Sequence, residues 1–176
     1  HEDKTCFTYV LPISKRKALV EFTFFIPELI EDRVYDEKLK QFISEKLNIE
    51  SYSILEVEQG VIPMSSYPFW NENNKNYLKI GTGGGWVKAS TGYSFKNVER
   101  KVAELINSLK FTKTPQKAAW QKRFRFYDEV LLNILYQKNK KGPEVFERMY
   151  SKNKAHEIFK FLDEERAKEI EKRIFL

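Results

Sequence analysis

Five of the seven glycines in the chain fall in one stretch, "KIGTGGGWVKASTGYSFKN" (79–97), and four of them lie within Gly81 to Gly85. Each glycine costs conformational entropy on folding, so a cluster marks backbone that cannot carry side chains. A short apolar run leads in ("YLKIG", 77–81), and Phe95, Val98, Val102, Leu105, Ile106 and Leu109 mark one face of a helix leading out. Strand, glycine loop and helix in that order can build a phosphate or cofactor edge. The glycines bare the amides, and the helix N-terminus favours an anion. A tight turn with no ligand is the other reading of the same residues. "GTGGGWVKAST" lacks the Gly-Lys-Ser/Thr ending of a P-loop and the spacing G-x-G-x-x-G, which argues against a nucleotide triphosphatase.

Elsewhere the pattern separates strands from helices. "TCFTYVLP" (5–12) and "KALVEFTFF" (17–25) are β-branched and aromatic, and the short link between them predicts a hairpin. Leu39, Phe42, Ile43 and Leu47 predict a helix over 35–47, stopped at Asn48. "YSILEVEQGVIPM" (52–64) alternates as a strand, and 77–81 reads as a short one. Ser90 or Thr91 is placed to cap the helix after the loop. From Pro115 onward the periodicity is helical, over 116–138, 143–152, 154–162 and 164–174. Strands first and helices afterwards predict an α+β fold with an antiparallel sheet. The division is a 1–110 α+β part and a 111–176 helical region.

Charge follows that division. Residues 1–110 hold 15 Lys/Arg against 15 Asp/Glu, whereas 111–176 hold 16 against 10, so the whole net charge of +6 lies in the second part. A basic surface there suits an anionic membrane or nucleic acid. The segment "WQKRFRFYDEVLLNILYQ" interleaves Trp120, Phe124, Phe126 and Tyr127 with Lys122, Arg123 and Arg125. It fits a membrane interface, base stacking, or a helix buried on one side and solvated on the other. The single cysteine, Cys6, leaves no internal disulfide, and two histidines make a His-based metal site unexpected.

One carboxylate is out of keeping with its surroundings. Glu21 is flanked by Leu19, Val20, Phe22, Phe24 and Phe25. A buried carboxyl in such company can act as an acid at neutral pH. Plain alternation, with Lys17, Leu19, Glu21 and Thr23 on one face, accounts for the same pattern. Glu56 and Glu58 share one face of the next strand, and solvated surface is their default reading.

Taken in order, "YVLPISKRKALVEFTFF", "EQGVIPM" and "IGTGGGWVKASTGYSF" resemble the carboxy-terminal half of flavoprotein lycopene cyclases, the bacterial carotenoid enzymes that close ionone rings. The tail "RFRFYDEVLLNIL…FERMY…FLDEE" is similar to theirs too. The resemblance implies a hydroxylase-like FAD fold in which Gly81, Thr82, Gly83, Gly84, Ser90, Thr91 and Gly92 line the flavin. Ala89 stands where a proline is commoner. "LVEFT" (19–23) resembles the family's Leu-Ile-Glu-Asp-Thr or Leu-Glu-Glu-Thr signature. Glu21 takes the place of its catalytic acid and Phe22 replaces the second acid. Glu58 matches an acid two residues before the glycine of "GVIPM" and is the second catalytic candidate. Phe25, Phe69, Trp70 and Trp86 are the aromatic candidates for stabilising a carbocation through their π faces, with packing as their default role.

The implied activity is lycopene β-cyclisation started by a proton, with reduced FAD used without net redox change and NAD(P)H as its reductant. The implied partners are a carotenoid substrate and the inner face of the membrane, reached from the cytoplasm, with no nucleic acid and no metal. No G-x-G-x-x-G unit occurs in these residues, so a carboxy-terminal piece lacking its dinucleotide-binding domain, inactive by itself, is expected. A geranylgeranyl reductase-like flavoprotein is the alternative enzyme. A non-catalytic basic module is the alternative of another class.

Overall fold

The computed structural model describes residues 4–112 and 122–165. Two strands, β1 (Cys6–Ser14) and β2 (Lys17–Phe24), form an antiparallel hairpin, followed by α1 (Asp32–Glu45). Further along come α2 (Phe95–Thr112), α3 (Lys122–Gln137), α4 (Gly142–Lys152) and α5 (Ala155–Leu162). The class is α+β, as the patterning predicts. The chain divides into two compact units, His1–Gly60 with Ile134–Glu144, and Val61–Asn133 with Val145–Leu176.

In the first unit the hairpin pairs Phe7 with Thr23, Tyr9 with Glu21 and Leu11 with Leu19 on one face. The other face carries Phe22 and Phe24. Tyr35 of α1 meets both rings edge-on, at 6.3 and 5.4 Å between centroids, which accounts for the pairing of β2 with α1. Asn48 takes a left-handed conformation (φ 54°) just past α1, at the predicted stop. Asn139 ties the ends of the hairpin down. Its side-chain oxygen accepts the Thr5 N–H at 2.6 Å, and its amide donates to the carbonyls of Phe25 (2.6 Å) and Leu135 (2.8 Å).

The second unit packs α4 and α5 through Met149, Ile158, Phe161 and Leu162, with Tyr93, Tyr127 and Phe146 against them. Phe124, Asp128 and Leu131 recur at helical spacing on the buried face of α3.

Three predicted elements differ. Residues 52–64 form no strand. Ile54, Leu55 and Val57 are exposed, and no described strand offers this segment an edge to pair with. Alternation marks a segment able to pair, while the ladder itself needs a neighbour. Residues 77–81 are likewise not a strand, because a single bridge between Asn74 and Tyr77 and the Asn73 side chain, which accepts the Lys79 N–H at 2.9 Å, close a tight turn instead. Neither Ser90 nor Thr91 caps α2. They lie in a turn closed by the Gly92 N–H on the Lys88 carbonyl (2.8 Å), and α2 starts at Phe95. In the tail, Glu164 is in a turn rather than opening a helix, and 166–174 lie outside the described residues, as do 113–121.

Candidate functional site

The predicted acid is held by its own hairpin. Register places Tyr9 directly opposite Glu21, where cross-strand side chains meet. The Tyr9 hydroxyl donates to one Glu21 oxygen, and the Thr23 hydroxyl donates to the other at 3.2 Å. Phe7, Leu11 and Leu19 stand exposed on the same face. Burial first, then the bond to Glu21 and the charges of Glu21 and Glu58, push the Tyr9 phenol up to about 12, which keeps it a donor throughout the neutral range. Glu58 itself lies exposed in the irregular segment after α1, where the neighbouring Gln59 side chain donates to Asp32. A regular hairpin turned at 15–16 would set Val10 across from Glu21, and the register shift between Pro12 and Ser14 brings Tyr9 there instead, so the letters do not disclose this partner.

In the second unit the chain winds one tight turn over Thr82–Gly84. The Gly84 N–H donates to the carbonyls of Ile80 and Gly81, both at 3.1 Å, and the Trp86 N–H also reaches Gly81 at 2.9 Å. A Cβ on Gly84 would lie 2.3 Å from the Lys79 carbonyl oxygen, so glycine there is demanded by the chain's own backbone. Gly81 and Gly83 are different: a Cβ on either meets nothing within 4 Å. Gly81, Thr82 and Gly83 therefore form an open backbone edge, and such an edge fits a flat group or a phosphate resting on it. Gly84 and Ser90 face inward, while Thr91 and Gly92 are half-buried in the following turn.

Ser90 leads to a feature that the sequence did not disclose. It is fully buried, and its hydroxyl donates to Asp128 of α3. Asp128 also pairs with the Lys88 ammonium at 2.8 Å, and Glu164 lies 3.9 Å from the same ammonium. Lys88 has no exposed side-chain surface, and its ammonium lies 4.5 Å from the Phe161 ring centre and 5.4 Å from that of Phe124. Arg100 of α2 approaches Glu164 at 4.0 Å and donates to Asn97 at 2.7 Å. Burial raises the Glu164 carboxyl and pushes Lys101 down to about 8.

Glu164 is unusual in its backbone as well. The Glu165 N–H reaches back to the Lys160 carbonyl (2.8 Å) and the Glu164 N–H to that of Phe161 (3.2 Å), the paired bonds of a Schellman ending for α5. Glu164 occupies its left-handed position (φ 55°), where glycine is the usual residue. A side chain there costs of order 1 kcal/mol. Asp128 and Glu164 also border a shallow apolar recess whose walls include Pro63, Tyr67, Phe69 and Trp70. The Arg125 guanidinium lies 5.6 Å from the Trp70 ring centre and donates to Glu129 at 2.8 Å.

Of the aromatic candidates, Phe69 and Trp70 line this recess. Trp86 is buried in the same unit, and Phe25 is buried in the first, stacked on Phe7 at 5.3 Å. Phe124, expected on a docking surface, is instead buried (1% exposed), because α3 turns that side toward Lys88. Phe126 is exposed, and Trp120 lies outside the described residues. Among the described residues no helix is long and apolar enough to cross a membrane, and no three His, Cys, Asp or Glu gather as a metal site.

In this α+β chain the first unit carries a hydroxyl-held carboxyl on an apolar strand face, and the second carries an open glycine edge and an aromatic recess. The family described as lycopene cyclase protein matches residues 1–176, and the chain belongs to that family, the carotenoid cyclases. No curated protein and no solved structure gives a significant match.

Proposed function

We propose that this chain carries the acid, the cofactor edge and the hydrocarbon-binding residues of a lycopene β-cyclase. The observation that carries the reading is the Glu21 carboxyl, set between the hydroxyls of Tyr9 and Thr23 on a strand face with exposed Phe7, Leu11 and Leu19. In its protonated form Glu21 gives a proton to the terminal double bond of the polyene, whose π electrons form the new C–H bond. The resulting cation is attacked by an internal double bond, the ring closes, and loss of a neighbouring proton restores neutrality. No atom is gained or lost, so the reaction is an isomerisation.

The open edge of Gly81, Thr82 and Gly83 would hold the FAD that the resemblance implies, with Gly84, Ser90, Thr91 and Gly92 shaping the loop behind it. When bound and reduced by NAD(P)H, that group would supply electron density beside a cation without being consumed. Phe69 and Trp70 shield the hydrocarbon from water and offer π faces to its charge. Lycopene dissolves in the bilayer, so the protein works at the inner face of the membrane from the cytoplasm, drawn there by the basic residues of 111–176.

The test is Glu21→Gln in the full-length protein, expressed in a lycopene-producing host, with pigments separated by chromatography. An amide donates no acidic proton, and loss of a general acid lowers the rate by about 10²–10⁴-fold. Cyclised pigment at the wild-type level would remove Glu21 from the mechanism. Glu58→Gln beside it tests the second carboxylate.

A further inference from the structure

The neutral charge sum of residues 1–110 hides a local excess at the hairpin turn. From Lys4 to Val20 the chain has no aspartate or glutamate, while Lys15, Arg16 and Lys17 stand together at the turn. Every residue from Leu11 to Leu19 is exposed, so the end of the hairpin projects into solvent. Its aliphatic side chains project with it: Leu11 is 52% exposed and Ile13 64%, and Leu19, also exposed, pairs across from Leu11. The ladder slips between Pro12 and Ser14, which sets Ile13 into β1 as an extra, unpaired residue. Among the described residues no ion pair engages Lys15, Arg16 or Lys17. A single exposed leucine needs no explanation, but three aliphatic side chains beside three cations at one projecting end mark an interaction site.

We propose that the hairpin end inserts into an anionic phospholipid bilayer, with Leu11, Ile13 and Leu19 at the acyl boundary and Lys15, Arg16 and Lys17 on the headgroup phosphates. Its chemistry selects this occupant. Aliphatic side chains dissolve among acyl chains, whereas stacking on nucleic-acid bases needs aromatic rings, and none occurs from Val10 to Val20. Pro12 has no N–H to offer, and the slipped ladder disrupts the strand edge, so β1 is poorly made for pairing with another chain. A second copy of the hairpin end would bring three cations against three. A lipid surface meets both kinds of side chain at once, because lysine and arginine stems lie along apolar surface while their heads reach phosphate. This mode differs from attraction through the basic residues of 111–176, since it buries apolar side chains as well. It rests on the cyclase reading only for its purpose. The Leu11–Leu19 pair shares a strand face with Tyr9 and Glu21, and Lys17 lies about 13 Å along the strand from Glu21. Docking there sets the face of the acid toward the phase that dissolves a hydrocarbon substrate.

The test is co-sedimentation of the full-length protein with phosphatidylcholine vesicles, with and without phosphatidylglycerol, at low and high salt. Leu11→Ser with Ile13→Ser should weaken binding by about 10-fold or more at either salt, because the lost part is apolar burial. Replacing Lys15, Arg16 and Lys17 by glutamine should weaken it by about 5-fold per residue at low salt and by less at high salt. Melting temperatures show that the variants fold. Ile13→Trp reads insertion directly: its added emission should shift to the blue with anionic vesicles and be quenched by brominated acyl chains. Both sets of variants sedimenting as the wild type does, or a tryptophan that brominated lipid leaves unquenched, overturns the proposal. So does single-stranded nucleic acid bound through the same three cations without vesicle binding. Glu21→Gln should bind vesicles as the wild type does, which reads docking apart from chemistry. A wild type that docks through the hairpin yet leaves lycopene uncyclised refutes the cyclase reading and upholds this one. A protein that cyclises lycopene while its hairpin variants dock unchanged refutes this inference alone.

Discussion

Replacing Lys88 by methionine tests whether the buried ion cluster holds the second unit together. Methionine fills much the same volume, so the perturbation is chiefly the loss of charge. The Lys88 side chain is wholly buried, 2.8 Å from Asp128, and Glu164 stands beyond it at 3.9 Å. Removing the cation strands both carboxylates in a poorly solvated site. Breaking a buried pair in this way costs about 3–5 kcal/mol. For a chain of this size each kcal/mol lowers the melting temperature by about 2–4 °C, so a fall of roughly 6–20 °C is expected. Adding Asp128→Asn should restore much of the loss, because asparagine still accepts the Ser90 hydroxyl and carries no charge. The deficit of the single variant should also shrink in acid, where protonation neutralises Glu164, whose carboxyl burial already raises. Thermal and urea unfolding followed by circular dichroism, for the wild type, both single variants and the double variant, closes the cycle. A Lys88→Met protein as stable as wild type at neutral pH, or a deficit that stays constant on acidification, would refute the account.

Burial lowers Lys101 from 10.5 to about 8, so between those values the unfolded chain keeps a proton that the folded chain has lost. Stability measured by urea unfolding should therefore rise from pH 8 toward pH 10, by up to ~3 kcal/mol, and Lys101→Met should flatten the rise. A stability that falls over that window would contradict the burial. Gly84→Ala should destabilise by about 2 kcal/mol or more, since its Cβ would meet the Lys79 carbonyl, while Gly83→Ala should stay within about 0.5 kcal/mol. Equal melting temperatures for the two would mean that the loop does not wind as described. Replacing Lys122 and Arg123 by glutamine should weaken binding to anionic vesicles by about 1 kcal/mol each, less at high salt. Equal sedimentation with neutral vesicles would remove electrostatics from docking, and tight binding of single-stranded nucleic acid without vesicle binding would favour the other partner.

Legibility in the sequence followed the range of the interactions. The hairpin, α1 and the stop at Asn48 rest on neighbours a few residues apart, and alternation, helical spacing and a left-handed asparagine are visible in the letters. Glu21 stood out because a charge among aromatics is a local anomaly. Its partner Tyr9 was not legible, because counting back from the turn gives Val10 and only the register shift between Pro12 and Ser14 brings Tyr9 opposite.

The sequence by itself determined the α+β class, the place of the glycine loop and the motifs by which the family is recognised. Tertiary structure decided what those parts face. The apolar stripe of α2 predicts an inward side. In the second unit Phe95, Val102, Ile106 and Leu109 are exposed, while Asn97 and Lys101 are buried toward the ion cluster. The alternation at 52–64 predicts a strand, but no described edge pairs with it. Nothing in the letters joins Lys88, Asp128 and Glu164, which are separated by 40 and 36 positions. Only folding brings a lysine from the glycine loop, an aspartate from α3 and a glutamate past the end of α5 within 4 Å, and at that separation burial and charge pairing outweigh what each residue prefers alone.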